Sequence, residues 1–114
     1  MSLEIKTSDV NIQIIVISLT GRLDAFEAPA LRKLCEGYIA QNATHFVFDL
    51  TDLSMLDSAG LAVMVSVLKR ARLKEGDVRL IWPREAIASR ILKLTRFDQV
   101  FTCIESAGIC PKGI

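Results

Sequence analysis

The sequence predicts an α/β domain with a mixed sheet of four to five strands, a βαβ core, and helices packed mainly on one side of the sheet. Short runs rich in β-branched residues alternate along the chain with longer stretches of helical periodicity. The chain has 114 residues, of which 51% are hydrophobic and 24% charged, and it shows no linker, repeat or low-complexity segment. We therefore expect one compact domain over residues 1–114.

The first half of the chain predicts a hairpin followed by a βαβ unit. Its helix begins near Asp24, a candidate N-cap with Glu27 three residues later, as in a capping box. Pro29 supports this start, because proline is tolerated only in the first turn of a helix. The right-handed crossover makes the strands on either side of the helix parallel. The predicted elements are strands at residues 3–6, 12–19 and 45–50, and a helix to about residue 41 whose apolar stripe is Leu31, Leu34, Cys35, Tyr38 and Ile39.

The second half continues the alternation of helices and strands. Asp57 is the candidate N-cap of the second helix, and Gly76 is a candidate left-handed C-cap at its end. The predicted elements are a loop at residues 51–56, helices at residues 59–74 and 84–94, a strand at residues 78–82 and a short last strand at residues 100–104. The expected inward positions are Leu61, Val65, Leu68 and Ala71 on the second helix and Ile87, Ile91 and Leu94 on the third.

Charge and cysteine content argue against several classes of function. The 14 basic and 13 acidic side chains give a net charge of +1, so no strong field favours nucleic acid or an anionic membrane. The three cysteines form no C-x-x-C pair, which argues against a disulfide framework and for the reducing cytoplasm. His45 is the single histidine, so we expect no metal site. No signal peptide or apolar run of about 20 residues is seen, and direct membrane insertion is not expected.

Ser58 follows a strand at the start of a helix, which superficially resembles a nucleophile elbow. The G-x-S-x-G pattern is absent, however, and His45 begins the strand that precedes Ser58, so it lies at the end of that strand away from this loop, which is a poor geometry for a catalytic triad. No P-loop or G-x-G-x-x-G pattern occurs. The sequence therefore predicts no catalytic residues, no bound cofactor and no enzymatic activity.

Two loops are expected to meet at one edge of the sheet. Asp24 follows one strand and Ser58 follows the next, and the carboxyl ends of parallel neighbours lie at the same edge. In the first turn of a helix, unpaired N–H groups and the helix dipole favour an anion by roughly 0.3–1 kcal/mol. A phosphate on Ser58 is thus expected to need no refolding. The structural alternative is that Asp24, Asp57 and Ser58 serve only to begin helices.

Three segments together resemble the STAS domain family. Residues 49–61 read DLTDLSMLDSAGL, residues 19–24 read LTGRLD, and residues 92–101 read LKLTRFDQVF. In that family a strand ending in D-L is followed by a short loop, and D-S-x-G-L then opens a helix. The similarity covers nearly the whole chain and implies a single STAS domain. Two departures are Ala59, where several members have a second serine, and the tail SAGICPKGI, which does not favour the family's last helix.

The resemblance implies a bacterial anti-sigma-factor antagonist. In such proteins the serine of D-S-x-G-L, here Ser58, is phosphorylated by a partner that is both an anti-sigma factor and a serine kinase, and a serine phosphatase restores binding. Gly60 is expected to allow close approach of the partner, and Val63, Met64 and Val67 to be partly exposed. The expected partner-binding residues are Asp24, Asp57, Ser58, Ala59, Gly60, Leu61 and Met64.

Two alternatives stay open within this resemblance. Ser54 and Ser66 are other possible phosphate acceptors, although Ser66 lies in the middle of a predicted helix. STAS domains also serve as subunits of lipid-transport complexes and of other signalling assemblies, a role that involves no sigma factor.

Overall fold

The computed structural model describes residues 13–104. The expected strand at residues 3–6, and with it the hairpin, lies outside the described residues, as does the tail after residue 104. The α/β fold class is confirmed. The described elements are β1 (Ile14–Leu23), α1 (Ala28–Ala40), β2 (His45–Leu56), α2 (Ser58–Leu73), β3 (Asp77–Ile81), α3 (Ala86–Leu94), α4 (Phe97–Val100) and β4 (Thr102–Ile104).

The four described strands form one sheet in the order β1-β2-β3-β4, and each neighbouring pair is parallel. Parallel neighbours cannot be joined by a tight turn, and helices lie between each pair in the chain. The predicted βαβ unit is confirmed, because β1 and β2 flank α1 and pair in parallel. The mixed character of the predicted sheet depended on the hairpin, whose first strand is outside the described residues.

β1 and β2 run further toward their carboxyl ends than the sequence predicted. The expected loop at residues 51–56 is wrong, because these residues extend β2 and pair with the end of β1. Register shifts after Ser18 and after Gly21 preserve this pairing. Gly21 has a φ of 92°, a left-handed value that glycine adopts without strain. The two strands consequently end side by side, with Leu23 paired to Leu56.

One face of the sheet carries the hydrophobic core. Phe46, Phe48 and Leu80 on this face are fully buried, and buried side chains of α1, α2 and α3 belong to the same core cluster. The opposite face is more open, since Ile14 and Val16 of β1 are 57% and 59% exposed. The helices therefore lie mainly on one side of the sheet, as predicted.

The first half of α2 turns a different face to the core from the one predicted, whereas Leu68 and Ala71 in its second half are buried as predicted. Leu61 and Val65 are only partly buried, and the expectation that Val63, Met64 and Val67 are partly exposed is wrong, because all three are buried. The first half of this helix is apolar on most sides, so its periodicity does not select one face. The buried residues of α2 are Gly60, Val63, Met64, Val67, Leu68 and Ala71.

α1 largely follows its predicted stripe, with Pro29 in its first turn and Leu34 as the exposed exception. α3 follows its own predicted stripe only at Ile91, which is partly buried against the core. The predicted inward residues Ile87 and Leu94 are 62% and 74% exposed, whereas Ala88 and Leu92 are fully buried. Apolar side chains cover more than half of the circumference of α3, and its smaller Ala88 faces the core.

The segment after α3 contains one predicted element and one that was not predicted. The short last strand is confirmed as β4, within the predicted residues 100–104. The one-turn helix α4 precedes it and begins after Arg96, whose φ is 62°. The rings of Phe97 and Phe101 stack with centroids 4.9 Å apart, and both side chains are buried. This contact joins the two ends of α4 to the core.

The turn from α2 into β3 is closely packed at Gly76. The prediction that Gly76 is a left-handed C-cap is wrong, because the left-handed residue is Glu75, with a φ of 64°. A Cβ atom on Gly76 would overlap the carbonyl oxygen of Thr44 and lie 2.6 Å from its carbonyl carbon. The Gly76 N–H donates to the Ala71 carbonyl at 2.8 Å, which holds the turn in this position. Glycine is therefore required here for the close approach of two backbones.

Cys35 is fully buried in α1, and we expect its thiol to be unreactive in the native protein. Burial, with a smaller contribution from the neighbouring Glu36 carboxylate, raises the pKa of Cys35 to about 11. At pH 8 the native thiol should react with a disulfide reagent at least about a hundredfold more slowly than the unfolded one. Kinetics of a chain carrying Cys103→Ser and Cys110→Ser, with and without guanidinium, measure this ratio, and equal rates would contradict the burial. The thiol ionises at a lower pH in the unfolded chain than in the native protein. The contribution of Cys35 to the free energy of unfolding therefore falls as the pH rises from about 9 to 11.

Candidate functional site

The carboxyl ends of β1 and β2 bring two loops together, as the sequence predicted. We call this surface the loop junction and define it as residues 24–27 and 57–61. The Asp57 N–H donates to the Leu23 carbonyl at 3.1 Å, which joins the backbones of the two loops. The Ala25 N–H donates to Asp57 Oδ2 at 3.0 Å, which joins them a second time through a side chain. The turn carrying Asp24 and the helix start carrying Ser58 are therefore held as one unit.

Asp57 uses both carboxylate oxygens within the protein. Its Oδ1 atom accepts from the N–H groups of Ala59 and Gly60 at 2.9 and 3.3 Å, and its backbone is extended, so its predicted role as the N-cap of α2 is confirmed. Its Oδ2 atom accepts the cross-loop hydrogen bond from Ala25. Asp57 thus couples the start of α2 to the turn after β1.

Asp24 shapes the turn that precedes α1. Its Oδ1 atom accepts from the N–H groups of Phe26 and Glu27, both at 3.1 Å. The prediction that Asp24 caps α1 directly is wrong, because the helix begins at Ala28 and no side-chain hydrogen bond caps it. The Asp24 carbonyl oxygen accepts from the Ala28 N–H at 2.8 Å, so the turn leads straight into the helix. Asp24 therefore caps a separate turn within the loop junction.

Ser58 is the first residue of α2, and its side chain is exposed. The alternative acceptor Ser54 is partly buried, and its hydroxyl donates to the Gly21 carbonyl at 2.8 Å. Ser66 is partly buried in the middle of α2. Of these three serines, Ser58 is the one that a kinase can reach without displacing a neighbour. Its phosphorylation stays a prediction.

The helix N–H groups beside Ser58 are already occupied. Asp57 Oδ1 accepts from Ala59 and Gly60, so a phosphate on Ser58 would not take over these donors without displacing the N-cap. The phosphate would instead lie on the surface, next to the Asp57 carboxylate. The expectation that the modification needs no refolding stays a prediction, and the reason that supports it is solvent exposure more than anion binding by the helix start.

Gly60 and Met64 do not lie at the surface, contrary to the expectation for partner-binding residues. A Cβ atom on Gly60 would lie 2.6 Å from Leu23 Cγ, so the space beside Gly60 is filled by the protein itself. Met64 is 0% exposed. The remaining predicted partner-binding residues, Asp24, Asp57, Ser58, Ala59 and Leu61, are exposed or partly exposed, and their role in binding stays a prediction.

Two residues of the loop junction were not singled out from the sequence. Ala25 supplies the N–H group for the cross-loop hydrogen bond, and no sequence signal identifies a backbone donor. Phe26 is 90% exposed, although an aromatic residue close to a buried strand is ordinarily interpreted as core. The useful signal was its position between Asp24 and Glu27, inside a polar turn.

Replacing Asp57 should separate its two structural roles. We expect Asp57→Ala to lower the free energy of unfolding by about 2 kcal/mol, because the N-cap and the cross-loop hydrogen bond are both lost. Asp57→Asn should cost about half as much, since its amide oxygen still caps α2 while its NH₂ group cannot accept from Ala25. Urea unfolding gives the free energies, and hydrogen exchange at the Ala25 amide reports the cross-loop bond. Unchanged stability in Asp57→Ala would contradict this account.

The fold and the loop junction define a small α/β domain whose candidate site is a surface of two joined loops. The chain belongs to the STAS domain family, whose model matches residues 4–108. This agrees with the resemblance carried by D-S-x-G-L.

Known relatives and solved structures agree with this membership. The chain is 30% identical over 105 residues to the anti-sigma-B factor antagonist of Listeria monocytogenes, covering 92% of this chain and 87% of the relative. It is 27% identical to the anti-sigma-B factor antagonist of Bacillus subtilis, covering 82% and 79%. The structure of the anti-sigma factor antagonist SpoIIAA in its unphosphorylated form superposes with a TM-score of 0.69 at 21% identity, covering 85% of this chain and 84% of that one. The last comparison supports the fold.

Among residues 13–104, no helix is both long enough and apolar enough to span a bilayer.

Proposed function

We propose that this chain is an anti-sigma-factor antagonist that acts by partner switching in the cytoplasm. Unphosphorylated, it binds a kinase-type anti-sigma factor and thereby frees a sigma factor. Phosphorylation of Ser58 ends that binding, and a serine phosphatase restores it. The observation that carries the proposal is the exposed Ser58 at the centre of the loop junction, in a chain 30% identical to an anti-sigma-B factor antagonist. In this reaction the chain is ligand and substrate, and it catalyses nothing.

The geometry suits a protein substrate for phosphoryl transfer. The Ser58 hydroxyl attacks the γ-phosphorus of the ATP held by the partner, the Ser58 Oγ–P bond forms, and the bond to the β–γ bridging oxygen breaks. ADP leaves, and the hydroxyl proton passes to a base on the partner. Catalysis of this kind depends on positioning, and the hydrogen bonds of Asp57 fix the backbone on either side of Ser58.

The phosphate can end binding through charge alone. It adds about 1.5 to 2 negative charges at pH 7 beside the Asp57 carboxylate. In the complex, Ser58 has to face the phosphates of the bound nucleotide, which are also negative. Repulsion across this contact weakens the complex without any change in the fold of this chain.

The proposal is tested by using wild-type protein and Ser58→Asp as baits in a lysate of the native cells. Mass spectrometry should identify an ATP-binding serine kinase that wild type recovers and Ser58→Asp loses. The purified kinase and ATP should then add one phosphate to wild type and to Ser66→Ala, but none to Ser58→Ala. Phosphorylation of Ser58→Ala would contradict the assignment. Recovery of the same lipid-transport subunits by both baits would favour the alternative role of STAS domains.

A further inference from the structure

Phe26 is the most exposed of the large hydrophobic side chains in the described part of the chain. It is 90% exposed, compared with 84% for Leu73, the next highest. A side chain this exposed contributes almost nothing to the core, so the fold gives no reason for an aromatic residue at this position. Its place in the loop junction, two residues after Asp24, suggests a role in binding.

The backbone that carries Phe26 is fixed on both sides. The Phe26 N–H donates to Asp24 Oδ1 at 3.1 Å, and the Ala28 N–H donates to the Asp24 carbonyl at 2.8 Å. The preceding residue, Ala25, donates to Asp57 Oδ2 at 3.0 Å. Phe26 directly follows Ala25 in the chain, and Ser58 directly follows Asp57. The hydrogen bond between Ala25 and Asp57 therefore links the positions next to Phe26 and Ser58. The backbone that carries the exposed ring is therefore held beside the backbone of the phosphate acceptor.

We propose that Phe26 is the apolar anchor through which the loop junction docks on its protein partner. The ring inserts into an apolar pocket that lies beside the phosphoryl-transfer site of the kinase-type anti-sigma factor. The identity of this partner rests on the proposed function, whereas the anchor itself follows from the exposure and placement of Phe26.

A partner that phosphorylates a folded surface needs a binding contact close to the acceptor hydroxyl. Gly60 and Met64, which were expected to supply this surface, are buried and unable to do so. Leu73 lies at the far end of α2, about 22 Å from Ser58 along a helix of 16 residues. Leu61 is only partly exposed and packs against the core, and the other residues of the loop junction present polar, charged or small side chains. Phe26 is thus the aromatic residue positioned for this contact, and buried aromatic side chains commonly dominate the binding energy of an interface.

The experiment compares four baits, wild type, Phe26→Ala, Phe26→Leu and Leu73→Ala, in isotope-labelled lysate of the native cells. The kinase that wild type recovers is then purified, and its affinity for each variant is measured by calorimetry. We expect Phe26→Ala to weaken binding about thirtyfold, which corresponds to about 2 kcal/mol. Phe26→Leu should retain affinity within about fivefold, because it keeps most of the apolar area. Leu73→Ala is the matched control and should bind as wild type does.

Thermal unfolding of all four proteins checks that the fold is intact, since none of these side chains belongs to the core. If Phe26→Ala binds the kinase within about threefold of wild type, the anchor is refuted while the proposed function stands. If no bait recovers a kinase, the proposed function fails and the anchor fails with it. Equal weakening by Leu73→Ala would also refute the anchor, because the effect would not be specific to the loop junction.

Discussion

Replacing Gly76 with alanine is expected to lower the free energy of unfolding by roughly 3 kcal/mol or more. The added methyl group would overlap the backbone carbonyl of Thr44, which is a neighbour that cannot rotate away as a side chain can. Relief requires the turn between α2 and β3 to move, and with it the hydrogen bond from the Asp77 N–H to the Thr44 carbonyl at 3.0 Å. Urea unfolding followed by circular dichroism measures the loss.

Gly37→Ala is the matched control for this substitution. Gly37 lies on the exposed side of α1, and a Cβ atom there meets nothing within 4 Å. Alanine should stabilise the helix by about 0.5–1 kcal/mol, because glycine loses more backbone entropy on folding. The same chemical change is thus expected to act in opposite directions at two positions. A Gly76→Ala protein as stable as wild type would contradict the close approach of the Gly76 backbone to the Thr44 carbonyl.

Phosphorylation of Ser58 is expected to weaken binding to the proposed kinase-type partner by about a thousandfold, which corresponds to about 4 kcal/mol. Two unit charges of like sign about 5 Å apart repel by roughly 3 kcal/mol at an effective dielectric near 20. A phosphate carries about 1.5 to 2 charges, so the repulsion from a single fixed anion is sufficient for this loss of affinity. Ser58→Asp adds one charge and should weaken binding about a hundredfold. Calorimetry with the purified partner gives both values.

The controls for this prediction separate charge from shape. Ser58→Ala should bind within a few-fold of wild type, because it adds neither charge nor volume. Leu73→Asp adds the same charge at the exposed far end of α2 and should have little effect on affinity. Raising the salt concentration should recover part of the affinity of Ser58→Asp, because exposed charges are screened. Tight binding by the phosphorylated protein would contradict the gating mechanism.

The location of the candidate site was predictable from sequence, because it depends on local signals. A β-branched run, a capping residue and a helical repeat identify each strand and the helix that follows it, and parallel pairing then places Asp24 and Ser58 at one edge. The D-S-x-G-L segment and its resemblance to the STAS domain family pointed to the same place. These features need no knowledge of side-chain packing.

The composition of the binding surface was not predictable in the same way. The buried side of α2 is chosen by a tertiary contact, in which Gly60 makes room for Leu23 of β1. Once Gly60 faces inward, Val63 and Met64 must follow it into the core at helical spacing. Periodicity within α2 carries no information about Leu23, so the exposed patch was assigned to the wrong residues.

The length of β2 also depended on a tertiary feature. Residues 51–56 contain polar residues at positions that break the strict alternation typical of a half-buried strand. The two register shifts, each of which leaves an extra residue in β2, and the left-handed Gly21 accommodate this break and let the pairing with β1 continue. A bulge in one strand is specified by its partner as much as by its own residues.

The parallel sheet also has a consequence for how quickly this chain reaches its native state. Ile14 pairs with His45 and His45 with Asp77, so in the described sheet these partners lie about 30 residues apart in sequence. A loop of that size has to close before either strand pair gains its hydrogen bonds, whereas α1 and α2 form from neighbouring residues. We therefore expect the rate-limiting step to be the pairing of strands whose crossover helices have already formed, on a timescale of roughly milliseconds for mixed α/β domains. During synthesis, the nascent chain therefore has to emerge beyond the end of β2 before β1 can pair with β2.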